Sequence, residues 1–189
     1  MPALADVPAA PLLAGPRQDL EPLRVRHAEE MAVVLDDPAL HEFIGGEPAT
    51  VEQLQRQYSG QVPGPSPDGS QRWFNWVLRR RCDRRAVGTV QATVSREDQL
   101  LTAEVAWVVG TAHQGRGYAK ESAAAMVTWL RRCGIEAVVA HVHPEHPASQ
   151  AVARAVGLHP TATLVDGEVR WHSEASQVRE RPGMRPRPR

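Results

Sequence analysis

The chain has 189 residues, 42% of them hydrophobic, which suffices for one domain with a buried core and leaves little room for a second. Lys+Arg and Asp+Glu number 22 each, so no overall charge directs the chain to nucleic acid or to an anionic membrane, and neither is expected as a partner. Two cysteines without metal spacing, no apolar run near the roughly 18 residues of a membrane span, and Asp6 and prolines where a secretory signal needs a basic start and an apolar core point to a reducing, cytoplasmic setting. The basic residues are arginines apart from Lys120, and Ala and Pro are abundant, a bias that suits a GC-rich bacterial genome.

In chain order, residues 1–15 are Ala/Pro-rich without period and are expected to form a flexible N-terminal arm, with contacts in a homodimer as one use for it. A short edge strand suits Pro16 to Glu21, and a helix runs through Leu23 to Leu35 until Asp36-Asp37-Pro38 stops it. Leu40, Phe43 and Ile44 precede Gly45-Gly46, after which Thr50 caps a second helix through Val51, Leu54 and Tyr58. Gly60 to Ser70 is a loop by composition. Trp73 to Leu78 and Ala86 to Val94 make a hairpin whose tip carries Arg79, Arg80, Arg81, Arg84 and Arg85; a solvated end and a contact for phosphate or an acidic partner are both open. Leu100 to Val109 completes a three-stranded meander. A helix presents Ala119, Ala123, Met126, Val127 and Leu130 on one face and stops at Gly134. Ile135 to His143 is a strand, Pro147 to Val156 a short helix closed by Gly157, and Leu164 to Trp171 a hairpin turning at Asp166-Gly167. Residues 173–189 are polar and are expected to be a disordered basic tail, leaving 16–172 as the domain. The expected class is α+β, a mixed and mostly antiparallel sheet of about seven strands flanked by about four helices.

The stretch Gln114-Gly115-Arg116-Gly117-Tyr118-Ala119 sets flexible backbone between the strand ending at Val109 and the helix that follows. Unpaired N–H groups and the positive end of the dipole there favour an anion, a phosphate above all. Alone the pattern Q-x-x-G-x-A is a weak signal. With a meander before it and a strand, a Ser-containing helix and a glycine after it, the chain resembles the GNAT acyltransferase superfamily over residues 16–172. HAEEMAVVLDDPALHEFIGGEPAT and HPASQAVARAVGL look most like its Rim-type branch, whose members acetylate protein N-termini, and its small-molecule relatives.

The resemblance implies a GNAT-like fold and acetyl-CoA as cosubstrate, without a metal. Its pyrophosphate would rest on backbone N–H groups of Gln114, Gly115, Arg116, Gly117, Tyr118 and Ala119. Its pantetheine would run between Glu104 to Val109 and Ile135 to His143, pairing with the first at Val108 and Val109. Glu104 matches the glutamate that draws the amine proton in many members. Ser149 matches the serine of an Asn-x-x-Ser pattern and would bond the CoA sulfur, although His146 stands at the Asn position; capping its helix is the alternative role. Ala153 stands where many members carry a tyrosine that protonates the thiolate. His141-x-His143 lies on one strand face but lacks a third metal ligand, and Trp73, Trp76 and Trp107 belong to the core or wall the acceptor pocket.

The implied reaction is attack of an amine, on a small molecule or a protein N-terminus, on the thioester. An amine of pKa about 10.4 is about 0.04% neutral at pH 7 and an α-amine of about 8 roughly a tenth neutral, so a base matters more for the first. A CoA-binding module that has lost catalysis is the alternative, and a nucleic-acid binder using the arginines and the tail is a third.

Overall fold

The computed structural model describes residues 3–62, 64–97 and 99–173. Two strands, β1 (Leu13–Ala14) and β2 (Gln18–Pro22), open the sheet, and a 3-10 turn at Val25–His27 leads into α1 (Ala28–Val34). Helices α2 (Pro38–Ile44) and α3 (Val51–Gln61) follow, then β3 (Gly64–Pro65). The long strands β4 (Gln71–Arg80), β5 (Ala86–Glu97) and β6 (Leu100–Val109) precede α4 (Tyr118–Arg132). After it come β7 (Ala137–Val142), α5 (Pro147–Ala155), β8 (His159–Val165) and β9 (Glu168–Ser173).

Among the described residues nine strands form one sheet in the order β1-β2-β4-β5-β6-β7-β9-β8, with β3 paired to β4. Only β6 and β7 run parallel, and α4 is the crossover that a parallel pair requires. Alternation along β6 decides the layers. Leu101, Ala103, Val105 and Val109 bury against Met126 and Leu130 of α4, while Glu104 and Ala106 between them are exposed on the other face. That other face carries α1 and α3, packed through Met31, Leu54, Tyr58 and Val77. At the closing hairpin Asp166 and Gly167 both take positive φ, 50° and 86°, as the two-residue turn expected there requires.

Several expectations are corrected. Residues 3–15 are not a free arm: Val7 is 1% exposed within the core, and Pro11 O accepts the indole N–H of buried Trp76 at 2.9 Å. A buried indole needs an acceptor, and this segment supplies it. Residues 38–44 form a helix, because Asp37 accepts a hydrogen bond from the Ala39 N–H (2.9 Å) and Pro38 occupies the first helical position. Thus Asp37-Pro38 ends one helix and begins another. The arginine tip is exposed from Arg81 to Arg85, as the solvated reading has it, and its arginines are engaged by carboxylates instead of standing free for a ligand. Arg79 bonds Glu21 (3.0 Å) and Glu30, Arg80 pairs with Asp83, and Arg84 with Asp19 (2.7 Å). Ser173, expected in the tail, is buried at the end of β9, where its Oγ accepts the Val138 N–H at 3.1 Å. Residues 174–189 lie outside the described residues.

Candidate active site

Strands β6 and β7 pair over only three rungs, Thr102–Ala137, Ala103–Val138 and Glu104–Val139. Beyond Glu104 they part, so the edge of β6 from Val105 to Val109 faces a cleft of about 290 Å³ instead of a neighbouring strand. Ala106, Trp107 and Val108 line one wall, and His141, Val142 and His143 the other. The opening is bridged by Trp107, whose indole N–H donates to Ser149 Oγ of α5 at 3.0 Å. Ser149 is therefore not a cap: His146 holds the N-cap position without a side-chain bond, and Ser149 sits in the first turn with its own O–H free to donate.

At the vertex of the cleft, on the α1/α3 face, Glu104 Oε1 lies 3.1 Å from His141 Nδ1. The last rung pairs Glu104 with Val139, and alternation returns His141 to the same face two residues on. His141 Nδ1 faces the carboxylate as its donor, and Nε2 is buried with no hydrogen-bond partner among the described residues. Across the outer end, Phe43 of α2 stacks on His146 with ring centroids 4.2 Å apart and meets His143 edge-on at 5.6 Å. Burial, and then the neighbouring His143, hold His146 below the usual imidazole pKa, so it is neutral at pH 7.

The turn that links β6 to α4 is held from three sides. Thr111 Oγ1 donates to Asp37 Oδ2 at the start of α2 (2.5 Å). Gln114 Nε2 donates to Val109 O (3.0 Å), so the Gln114 side chain closes the loop and the Val109 carbonyl is occupied. Arg17 donates from Nε to Glu121 (2.8 Å) and from Nη1 to Arg116 O (2.9 Å), and its guanidinium lies 5.1 Å over the Tyr118 ring. Gly117 is the N-cap of α4 at φ 81°, a left-handed conformation that glycine adopts freely. The first amide N–H groups of α4 lack intrahelical acceptors, and the exposed Arg116 and Lys120 stand beside them. Tyr118 is 8% exposed with its ring against the core, so only its backbone, like that of half-buried Ala119, is available at the loop.

The expected site residues thus fall into two groups, the loop from Gln114 to Ala119 and the cleft with Val108, Ser149 and Glu104, joined through Val109. Among the described residues no three His, Cys, Asp or Glu side chains are arranged to hold a metal, and His141 and His143 face different neighbours, Glu104 and Phe43. The sequence reading lacked the Glu104–His141 pairing, the bracing by Arg17 and the place of Phe43. Only Phe43 had an available signal, in the helix start at Asp37-Pro38. Trp73 stays outside the cleft lining, whereas Trp107 is in it.

A family profile described as acetyltransferase (GNAT) domain matches residues 17–159. The comparison with curated proteins finds no match. Among solved structures, RimL, a ribosomal L7/L12 α-N-protein acetyltransferase in complex with coenzyme A, aligns with TM-score 0.69 and 17% identity over 87% of this chain and 98% of its own. A GNAT-family acetyltransferase from Bacillus anthracis gives 0.68 and 15% over 86% and 96%. Spermidine N-acetyltransferase from Vibrio cholerae, in complex with CoA and spermine, gives 0.64 and 16% over 82% and 93%. At such identities these structures speak to the fold. The profile spans both the glycine turn before α4 and the parted strands, well over half of the chain, and on that ground the protein belongs to the GNAT acetyltransferase family.

Proposed function

We propose that the protein is an acetyl-CoA-dependent N-acetyltransferase of the Rim-type branch, moving an acetyl group to a primary amine on a small molecule or a protein N-terminus by direct attack on the thioester. The observation that carries this reading is the Glu104–His141 pair, 3.1 Å apart at the vertex where β6 and β7 separate. When bound, acetyl-CoA supplies the thioester carbonyl that the amine attacks.

The chain's own groups fit it. Backbone N–H groups at Gly115, Arg116, Gly117, Tyr118 and Ala119 take the pyrophosphate, with Gln114 holding the loop closed through Val109 O. The edge of β6 beyond Glu104 takes the pantetheine amides at Val108 and Val109, as an added strand would, with the Val109 carbonyl left to Gln114. Glu104 accepts the ammonium proton, directly or through a water, and His141 orients the carboxylate from Nδ1. Ser149, its lone pair engaged by Trp107, directs its O–H into the cleft, where it bonds the departing sulfur. The names of the structural neighbours support both acceptor types, since one is an α-N-protein acetyltransferase and another a spermidine N-acetyltransferase. Free Cys82 and Cys133 agree with the cytoplasm of a bacterium.

One observation favours a second reading. Ala153, at the position of the tyrosine in many members, is fully buried and offers no proton, which suits a CoA-binding module without catalysis. Titration with acetyl-CoA together with thiol release across a panel of amines separates the two. Turnover of any amine supports the transferase, and binding without release from any of them supports the module.

A further inference from the structure

The segment between β1 and β2 docks on the first turn of α4, 99 to 104 residues later in the chain. Buried Gln18 donates from Nε2 to Tyr118 O at 2.7 Å. Arg17 reaches Glu121 twice, from its backbone N–H to Oε1 (2.9 Å) and from Nε to Oε2 (2.8 Å), while Nη1 donates to Arg116 O (2.9 Å). With its guanidinium also set over the Tyr118 ring, the side chain is held in one place yet stays 52% exposed. Nη2 is left over. It makes no hydrogen bond among the described residues, and a Cβ built on Gly117 would lie 3.4 Å from it, so its N–H groups stand beside the N-cap of α4.

Glu121 is the unfavourable group at this turn. Its carboxylate, 14% exposed, lies in the first turn of α4, where it suits the positive end of the dipole but opposes a second anion. Arg17 offsets that charge and still has Nη2 to offer. Arg116 and Lys120 are exposed cations beside the same turn, but their side chains make no hydrogen bond or ion pair among the described residues. Fixing either on a ligand costs rotamer entropy that Arg17 has already given up on folding.

We infer that Arg17 is a binding and specificity residue for the donor: Nη2 bonds a pyrophosphate oxygen above Gly117, and the rest of the guanidinium shields that oxygen from Glu121. The inference rests on the acetyl-transfer reading above. It adds to the contiguous glycine turn a side chain supplied from the front of the chain, and it makes a donor that carries pyrophosphate preferred over one that ends at pantetheine.

The test compares the native protein with Arg17→Gln, Glu121→Gln and the double variant. Acetyl-CoA and 3′-dephospho-acetyl-CoA are titrated by calorimetry, and S-acetylpantetheine, which carries no phosphate, by NMR. Arg17→Gln weakens acetyl-CoA about fivefold to thirtyfold, the range of a hydrogen bond to a charged group discounted for exposure, and leaves S-acetylpantetheine within about twofold. The same factor with 3′-dephospho-acetyl-CoA places the contact at the pyrophosphate. Glu121→Gln separates charge from bracing. It removes the repulsion while the glutamine oxygen still accepts from Arg17, so acetyl-CoA affinity holds or tightens, and adding it to Arg17→Gln recovers at least about twofold. Four results overturn the inference: acetyl-CoA affinity of Arg17→Gln within about twofold of native, an equal loss with S-acetylpantetheine, a loss that vanishes with the dephospho donor, or Glu121→Gln weakening acetyl-CoA as much as Arg17→Gln does. The last would make Arg17 a brace alone. Native protein that binds neither phosphate-bearing donor defeats the acetyl-transfer reading as well, whereas native binding that Arg17→Gln leaves unchanged defeats this inference only.

Discussion

Replacing Glu104 by Gln removes a charge while keeping the shape of the side chain. Glu104 is 61% exposed at its side chain and contacts His141 Nδ1 at 3.1 Å, and a glutamine oxygen at the same place still accepts that N–H. Stability is therefore expected to change by no more than about 0.5 kcal/mol, and acetyl-CoA affinity to stay the same because the turn proposed to hold the pyrophosphate is untouched. The rate responds differently. An amide takes no proton near neutrality, so the loss should be that of a general base, about 10²–10⁴-fold, or about 3–5 kcal/mol in the barrier at about 1.36 kcal/mol per tenfold. The deficit should also shrink as pH approaches the pKa of the amine itself, about 8 for an α-amine and about 10.4 for an alkylamine, since solution then supplies the neutral nucleophile. Thiol release at saturating acetyl-CoA, followed from about pH 6 to about pH 10 with one amine of each kind, measures both effects. A deficit below about threefold at neutral pH, or one that stays constant across the range, refutes Glu104 as the proton acceptor.

Three further substitutions address the frame around this pair. Gly117→Val places a β-branched residue at φ 81°, which costs about 1–3 kcal/mol, and should weaken acetyl-CoA binding at least about tenfold by calorimetry; unchanged affinity would mean that the turn does not hold the pyrophosphate. Gly88→Ala sets a methyl 2.2 Å from Val108 O and 2.9 Å from Val109 Cα, forcing β5 from β6 at the edge that faces the cleft, with a loss of about 3 kcal/mol in chemical denaturation. Arg79→Leu leaves Glu21 and Glu30, 20% and 37% exposed at their side chains, without their shared cation, and should cost about 1–3 kcal/mol at neutral pH once solvent screening is allowed for. Burial alone would raise the Glu21 pKa, but the hydrogen bond and charge of Arg79 outweigh it, and the Arg79 bond also lowers Glu30. Both pKa values are thus depressed in the folded state, so this stabilisation is present above the ordinary carboxylate value of 4.5 and is lost as pH falls below it through the folded values. The gap in stability between the native protein and Arg79→Leu should accordingly narrow in acid; a gap of the same size well below pH 4.5 would locate the Arg79 contribution in packing instead.

Elements written in local pattern were legible. The β4–β5–β6 meander shows strand composition bounded by turn residues, α4 a single apolar face closed by Gly134, and the last hairpin Asp166-Gly167. The glycine turn before α4 was legible for the same reason, since its six residues are contiguous. Where the reading failed, a residue's partner lay far along the chain. Val7 carries no local period, yet it is buried because the sheet built from residues 18–109 leaves room for it. The distant partners of the arginine tip were not legible, because Glu21, Glu30 and Asp19, which pair with Arg79 and Arg84, come 49 to 65 residues earlier.

By itself the sequence determined the order of the elements, the glycine turn before α4 and membership of an acetyltransferase family, because helix and strand periods, glycine placement and a short contiguous signature are all local properties. Only the tertiary structure decided how the cleft beside that turn is built. The parallel register of β6 and β7 stops at Glu104–Val139 and lets the strands part there, which brings His141 to Glu104 across 37 residues and Trp107 to Ser149 across 42. It likewise placed Tyr58 in an uncharged wall beside β4, β5 and β6. Distances between side chains on different elements follow from register and crossover, and no spacing within a single segment encodes either.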